Sequence, residues 1–125
     1  MTSDSAIKTC LVKAGQADVK AFDWGSTAWS ISGEVGNSES MTFGDVVIKA
    51  TCANGHHGHA NCDEVLYLIT GQLKHYADDA EPMAMGPGDV IFIPAGVAHH
   101  AACTSDTDAK MIVVYSSPRR EIASA

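Results

Sequence analysis

Glycine and proline break this chain at short intervals, and the runs between them are rich in β-branched and aromatic residues. Gly25, Gly33, Gly36, Gly44, Gly55, Gly58, Gly71, Gly86, Gly88 and Gly96 recur at spacings typical of turns between short strands. Pro87-Gly88 and Pro94-Ala95-Gly96 bracket Val90-Ile91-Phe92-Ile93. Val46-Val47-Ile48 and Met111-Ile112-Val113-Val114-Tyr115 have the composition of strands that pack on a core. No 3.6-residue periodicity persists long enough to compete. This punctuation predicts an all-β domain, a sandwich or barrel. The predicted strands are Ala28–Val35, Thr42–Thr51, Glu64–Thr70, Gln72–Ala77, Pro82–Met85, Val90–Ile93, Val97–Ala102 and Lys110–Ser116.

With 125 residues the chain has room for one domain and a substantial core. Residues 1–27 read as an N-terminal arm, 28–118 as the barrel and 119–125 as a tail. Within the arm, Gln16–Phe22 is weakly amphipathic and predicts a short helix or irregular segment. Eight Lys+Arg against 15 Asp+Glu leave a net charge of −7. The basic residues are scattered, so a nucleic-acid partner, which needs a clustered basic face, is not expected. No apolar run reaches the roughly 18 residues that cross a bilayer. The first residues lack the basic and apolar regions of a signal peptide. Cys10, Cys52, Cys62 and Cys103 are widely spaced, without a CxxC pair. They are expected to be reduced thiols in a cytosolic protein.

The histidines carry the chemistry. Five of six crowd into two stretches, His56-His57-Gly58-His59 and His99-His100. Two residues apart on an extended strand, His57 and His59 point to one face and can clamp a metal. Glu64 follows after Ala60-Asn61-Cys62-Asp63, a turn-prone segment that can return it to the same face. Asp63 is the neighbouring carboxylate candidate. His99 lies three residues past Gly96, on a face shared with Val97 and Ala101. His56 and His100 are expected to point away, as rim residues. His75 and Tyr76 lie on the strand after Gly71, where the turn hides which of them faces inward. An inward one can serve as a general acid/base.

In these two blocks the sequence resembles the cupin superfamily. Its first motif, G-x5-H-x-H-x(3–4)-E-x6-G, matches at His57, His59, Glu64 and Gly71. Its second, G-x5-P-x-G-x2-H-x3-N, matches at Gly88, Pro94, Gly96 and His99. Thr51 stands at the first motif's opening glycine and Cys103 at the second's closing asparagine. The resemblance implies a double-stranded β-helix, or jelly-roll, barrel. It also implies that His57, His59, Glu64 and His99 bind one divalent ion.

Three imidazoles and a carboxylate suit Fe(II), Mn(II), Zn(II), Ni(II) or Cu(II). The expected function is a metal-dependent enzyme on a small oxygen-bearing organic molecule, foremost an Fe(II)/Mn(II) dioxygenase-type oxidoreductase. A redox-neutral isomerase, lyase or hydrolase is the second reading, and a non-catalytic binding or sensing module the third. The resemblance further implies a homodimer, with residues 1–30 available at the interface.

Overall fold

The computed structural model of the protein describes residues 7–124. Residues 1–6 of the expected arm and residue 125 of the tail lie outside them. Eleven strands run in chain order: β1 Asp18–Phe22, β2 Gly25–Ile31, β3 Thr42–Ile48, β4 His57–Gly58, β5 Glu64–Thr70, β6 Leu73–Ala77, β7 Met83–Met85, β8 Val90–Ile93, β9 His99–Cys103, β10 Ala109–Tyr115 and β11 Ala123–Ser124. They form a six-stranded sheet, ordered β1-β2-β3-β10-β5-β8, and a five-stranded sheet, ordered β11-β4-β9-β6-β7. All pairings are antiparallel. The two sheets face each other as the jelly-roll implied by the family resemblance, within the all-β class that the glycine punctuation predicted. No helix among the described residues is long and apolar enough to cross a membrane.

Alternation fixes which residues meet between the sheets. Along β10, Ala109, Met111, Val113 and Tyr115 are buried while Lys110, Ile112 and Val114 face out. Leu66 and Leu68 on β5, Val46 and Ile48 on β3, and Leu73 on β6 join them in the core. A strand's period of two makes each run deliver every second side chain inward.

One segment departs from expectation. Residues 18–22, expected as a short helix or irregular arm, form β1, which pairs with β2 from Asp18↔Trp29 to Phe22↔Gly25. All five β1 residues are exposed. An edge strand open on both faces shows no alternation, so its partner rather than its own pattern makes it a strand. β2 begins at Gly25, three residues before the predicted start. The two-residue strands β4 and β11 are too short to leave a periodic signal.

One glycine is sterically required beside the site. Gly44 on β3 pairs with Trp29 on β2, and a Cβ at Gly44 would overlap the Trp29 ring. The indole of Trp29 therefore lies against the neighbouring strand β3 at Gly44.

Candidate metal centre

β4 and β9 are bound as neighbours, with His57 directly opposite His99. The approach to β4 is stitched onto β9: Cys103 N–H donates to the Cys52 carbonyl (2.8 Å) and Ala101 N–H to Asn54 Oδ1 (2.9 Å). After His59 the chain turns and enters β5 at Glu64, which is 4% exposed. The turn is held by Gly96 N–H donating to the His59 carbonyl (2.8 Å) and Ala95 N–H to Asp63 Oδ1 (3.0 Å). Asp63 is thus occupied outside the barrel, and Glu64 is the carboxylate that faces in.

The three motif imidazoles share one orientation. Nδ1 of His57 lies 2.7 Å from the Gly55 carbonyl, Nδ1 of His59 2.8 Å from the Glu121 carbonyl, and Nδ1 of His99 3.0 Å from the Val97 carbonyl. A carbonyl only accepts, so each Nδ1 carries a proton and, in the neutral ring, each Nε2 keeps a lone pair. The ligand atoms of His57, His59 and His99 lie within 4.8 Å of one another. Glu64 Oε1 is 3.5 Å from His59 Nε2 and 3.1 Å from His99 Nε2.

These neighbours do not satisfy each other. His59 Nε2 and Glu64 Oε1 are buried without a hydrogen-bond partner. Converging lone pairs and a carboxylate in a dry interior are costly unless a proton or cation lies among them. The donor set therefore fits a divalent ion, and carbonyl-oriented imidazoles are the usual support of such a site.

The electrostatics agree. Burial works to raise the Glu64 carboxyl, but the imidazoles of His59 and His99 outweigh it and hold it at about 2. For His99, burial is outweighed by the Glu64 carboxylate, which raises the imidazole above its ordinary value. Burial lowers His57, with the positive charge of His99 adding to the effect. Burial raises Tyr115 well above an ordinary phenol, and the Glu64 charge adds to it.

His75 is the inward member of its pair. It is 1% exposed, its ring lies parallel to that of His99 at 5.6 Å, and neither of its nitrogens has a hydrogen-bond partner. Burial, and then the His99 charge, lowers it to about 4. It faces a small cavity of about 40 Å³ together with Glu64 and His99. Tyr76 points to the other side of β6 and stacks on His100 at 4.6 Å. The structure therefore gathers His57, His59, Glu64, His75 and His99, and leaves Tyr76 outside.

His56 and His100 were expected as rim residues pointing away; they are half-buried and bonded to each other. Their Nδ1 atoms are 2.6 Å apart, and His56 Nε2 is 2.9 Å from Asp78 Oδ1. His56 just before β4 and His100 on β9 are set apart from the metal cluster but contact each other.

A second, larger cavity of about 530 Å³ opens beside His57 and His59. Trp24, Trp29 and Tyr115 line it, and so does Arg120 from the tail. Sequence reasoning missed Tyr115 and Arg120 as site residues. Tyr115 carries no motif, and Arg120 meets Trp29 only because the tail folds back over the barrel.

All four cysteines are free.

Residues 44–115 match the cupin domain family profile. The chain belongs to the cupin family. It is 30% identical to the uncharacterized protein SCO3923 of Streptomyces coelicolor over 79 residues, 63% of this chain and 72% of that protein. Among solved structures it resembles an oxalate decarboxylase of Lactobacillus farciminis in complex with formate. There the TM-score is 0.80 at 20% identity, covering 89% of this chain and 34% of that one. The polyketide cyclase RemF of Streptomyces resistomycificus gives a TM-score of 0.77 at 16% identity, covering 94% of this chain and 86% of that one. The chain thus spans about a third of the decarboxylase's length. At these identities the structural likeness establishes the fold.

Proposed function

We propose that His57, His59, Glu64 and His99 bind one divalent first-row ion and that the protein is a metal-dependent enzyme acting on a small oxygen-bearing organic molecule. The observation that carries this reading is the common tautomer. Three Nδ1–H groups are committed to carbonyls, so three Nε2 lone pairs are free to converge on one point. When bound, the ion supplies a Lewis-acid centre and, as Fe(II) or Mn(II), redox capacity. Mn(II) centres are named for the oxalate decarboxylase of Bacillus subtilis, a protein of the same fold, which supports manganese among the candidates.

Glu64 contributes the one negative charge of the set, leaving a net positive centre that attracts a carboxylate or enolate oxygen. Leu66, Met111 and Val113 line the inner side. The aromatic cavity on the outer side holds the substrate against His57 and His59. On this basis we assign the activity to the Fe(II)/Mn(II) dioxygenase-type oxidoreductases. One observation favours the redox-neutral isomerase or lyase reading. His75, kept neutral, has one protonated and one unprotonated nitrogen, neither bonded to the protein, and can exchange a proton there.

Elemental analysis of the purified protein tests the centre. One ion per chain is expected, and a marked loss of metal from a still-folded His99→Ala variant. Full occupancy in that variant removes His99 from the set. Oxygen consumption by the Fe(II)-loaded protein with candidate substrates then separates the two activities; turnover without oxygen uptake selects the redox-neutral one.

The protein is also read as a homodimer. On the outer face of the six-stranded sheet, Val65, Tyr67 and Ile69 of β5 stand beside Val90 and Phe92 of β8, all exposed. A contiguous uncharged apolar patch on an edge pair marks an interaction surface. A solution mass of two chains is expected, reduced to one by Phe92→Glu; a monomeric wild type removes the reading.

A further inference from the structure

The large cavity contains an arginine, Arg120, whose guanidinium has no hydrogen-bond partner among the described residues. The Arg120 guanidinium carbon lies 3.8 Å over the Trp29 ring and 5.4 Å from the Tyr115 ring. Trp29 is 6% and Tyr115 4% exposed, so the cation rests on two buried aromatic faces. Among the described residues it has no hydrogen bond and no ion pair. Its neighbours in the tail are all engaged. Arg119 Nη2 donates to the Gly33 carbonyl (3.0 Å), Asn61 Nδ2 donates to the Arg119 carbonyl (2.7 Å), and Glu121 N–H donates to Asn61 Oδ1 (2.8 Å). The tail is thus clamped on either side of Arg120, which holds its guanidinium in the cavity with its five N–H donors free.

Part of the remaining wall is aromatic. Phe22 and Trp24 stack at 5.0 Å with an interplanar angle of 3°, and both line the cavity. Asp18, Lys20 and Glu34 line it as well; all three are exposed and none lies within ion-pair distance of Arg120. Tyr115 stands between the two ends, its ring 4.9 Å from that of His59 and 5.4 Å from Arg120. One aromatic ring therefore separates the guanidinium from the nearest metal-site imidazole.

The geometry points to a planar carboxylic acid as the ligand class, its carboxylate held by Arg120 and its body laid against the aromatic wall of the cavity. A guanidinium stacked on an indole keeps its edge free for a two-point carboxylate contact, and the stacking holds that edge in one plane. Arg120 is then a specificity-determining residue that selects the acid over its neutral analogues. The far end of the ligand faces His57 and His59, so its reaction there rests on the metal reading above, whereas the carboxylate contact does not.

Benzoate and its uncharged isostere benzamide are suitable probes, followed by quenching of tryptophan fluorescence, since Trp24 and Trp29 both line the cavity. The titrations are run on protein with and without Mn(II), with metal content measured in parallel. Saturable benzoate binding is expected in both, with benzamide about tenfold weaker or more. Arg120→Gln is expected to lose benzoate affinity by a similar factor with metal content unchanged, and Arg120→Lys to recover part of it. Equal affinity for benzoate and benzamide, no saturable benzoate binding, or an unchanged benzoate affinity in folded Arg120→Gln overturns the proposal. A wild type that binds benzoate but no metal would instead fail the metal reading and leave the carboxylate site standing.

Discussion

At the scale of single residues, the site is governed by which atoms are already used. His57, His59 and His99 act together because each spends Nδ1 on a carbonyl, a fact invisible in the motif spacing that located them. The spacing left Asp63 beside Glu64 as a carboxylate candidate; the fold buries Glu64 toward the imidazoles and ties Asp63 to the Ala95 N–H. Thr51 is a further single-residue case. It stands where the family motif has glycine, and its φ is +62°, the left-handed region. A β-branched residue there is strained by about 1–2 kcal/mol. Thr51→Gly relieves that strain at some cost in unfolded-chain entropy, so a net gain of about 0.5–1 kcal/mol is expected. The urea midpoint measures it, and a lowered midpoint would show that the turn needs the threonine.

At the scale of elements, the C-terminal tail does more for the site than its length suggests. It contributes β11, which pairs with β4 through Ala123↔Gly58 and Ser124↔His57. It also contributes the Glu121 carbonyl that orients His59. The core strand β10 ends before it, at Tyr115. Ending the chain after Pro118 should therefore leave the barrel folded but weaken metal affinity about 10- to 100-fold, the usual effect of removing an orienting partner. Competition with a chelating dye measures the change; unaltered affinity would make the tail irrelevant to the centre. The sequence could not reveal this role. A two-residue strand has no period, and its pairing with β4 is a long-range contact. β1 was missed for a related reason, as its exposed faces carry no alternation.

At the scale of the molecule, the buried histidines couple stability to pH. His75 is lowered to about 4 by burial first and the charge of His99 second, while an unfolded histidine titrates near 6.5. Between those values the unfolded chain binds the extra proton, so this group makes the fold less stable as pH falls from about 6.5 toward 4 and contributes no change above. Glu64 acts in the same direction, but its folded value of about 2 spreads the loss from the ordinary carboxylate range to far lower pH. Metal-free wild type is expected to lose more Tm between pH 7 and pH 4.5 than metal-free His75→Leu; parallel Tm profiles would contradict the assignment. The sequence alone determined the class of fold and the residues that converge, because turn glycines and period-two alternation are local and the motif spacing is read along one chain. Tertiary structure alone decided that His75 faces in and Tyr76 out, and that Thr51 at the motif's glycine position takes a positive φ. It also decided that a tail arginine rests on Trp29 inside the cavity. Each of those depends on a turn, a crossover or a strand pairing that brings together residues distant in the chain, and local pattern carries no record of such contacts.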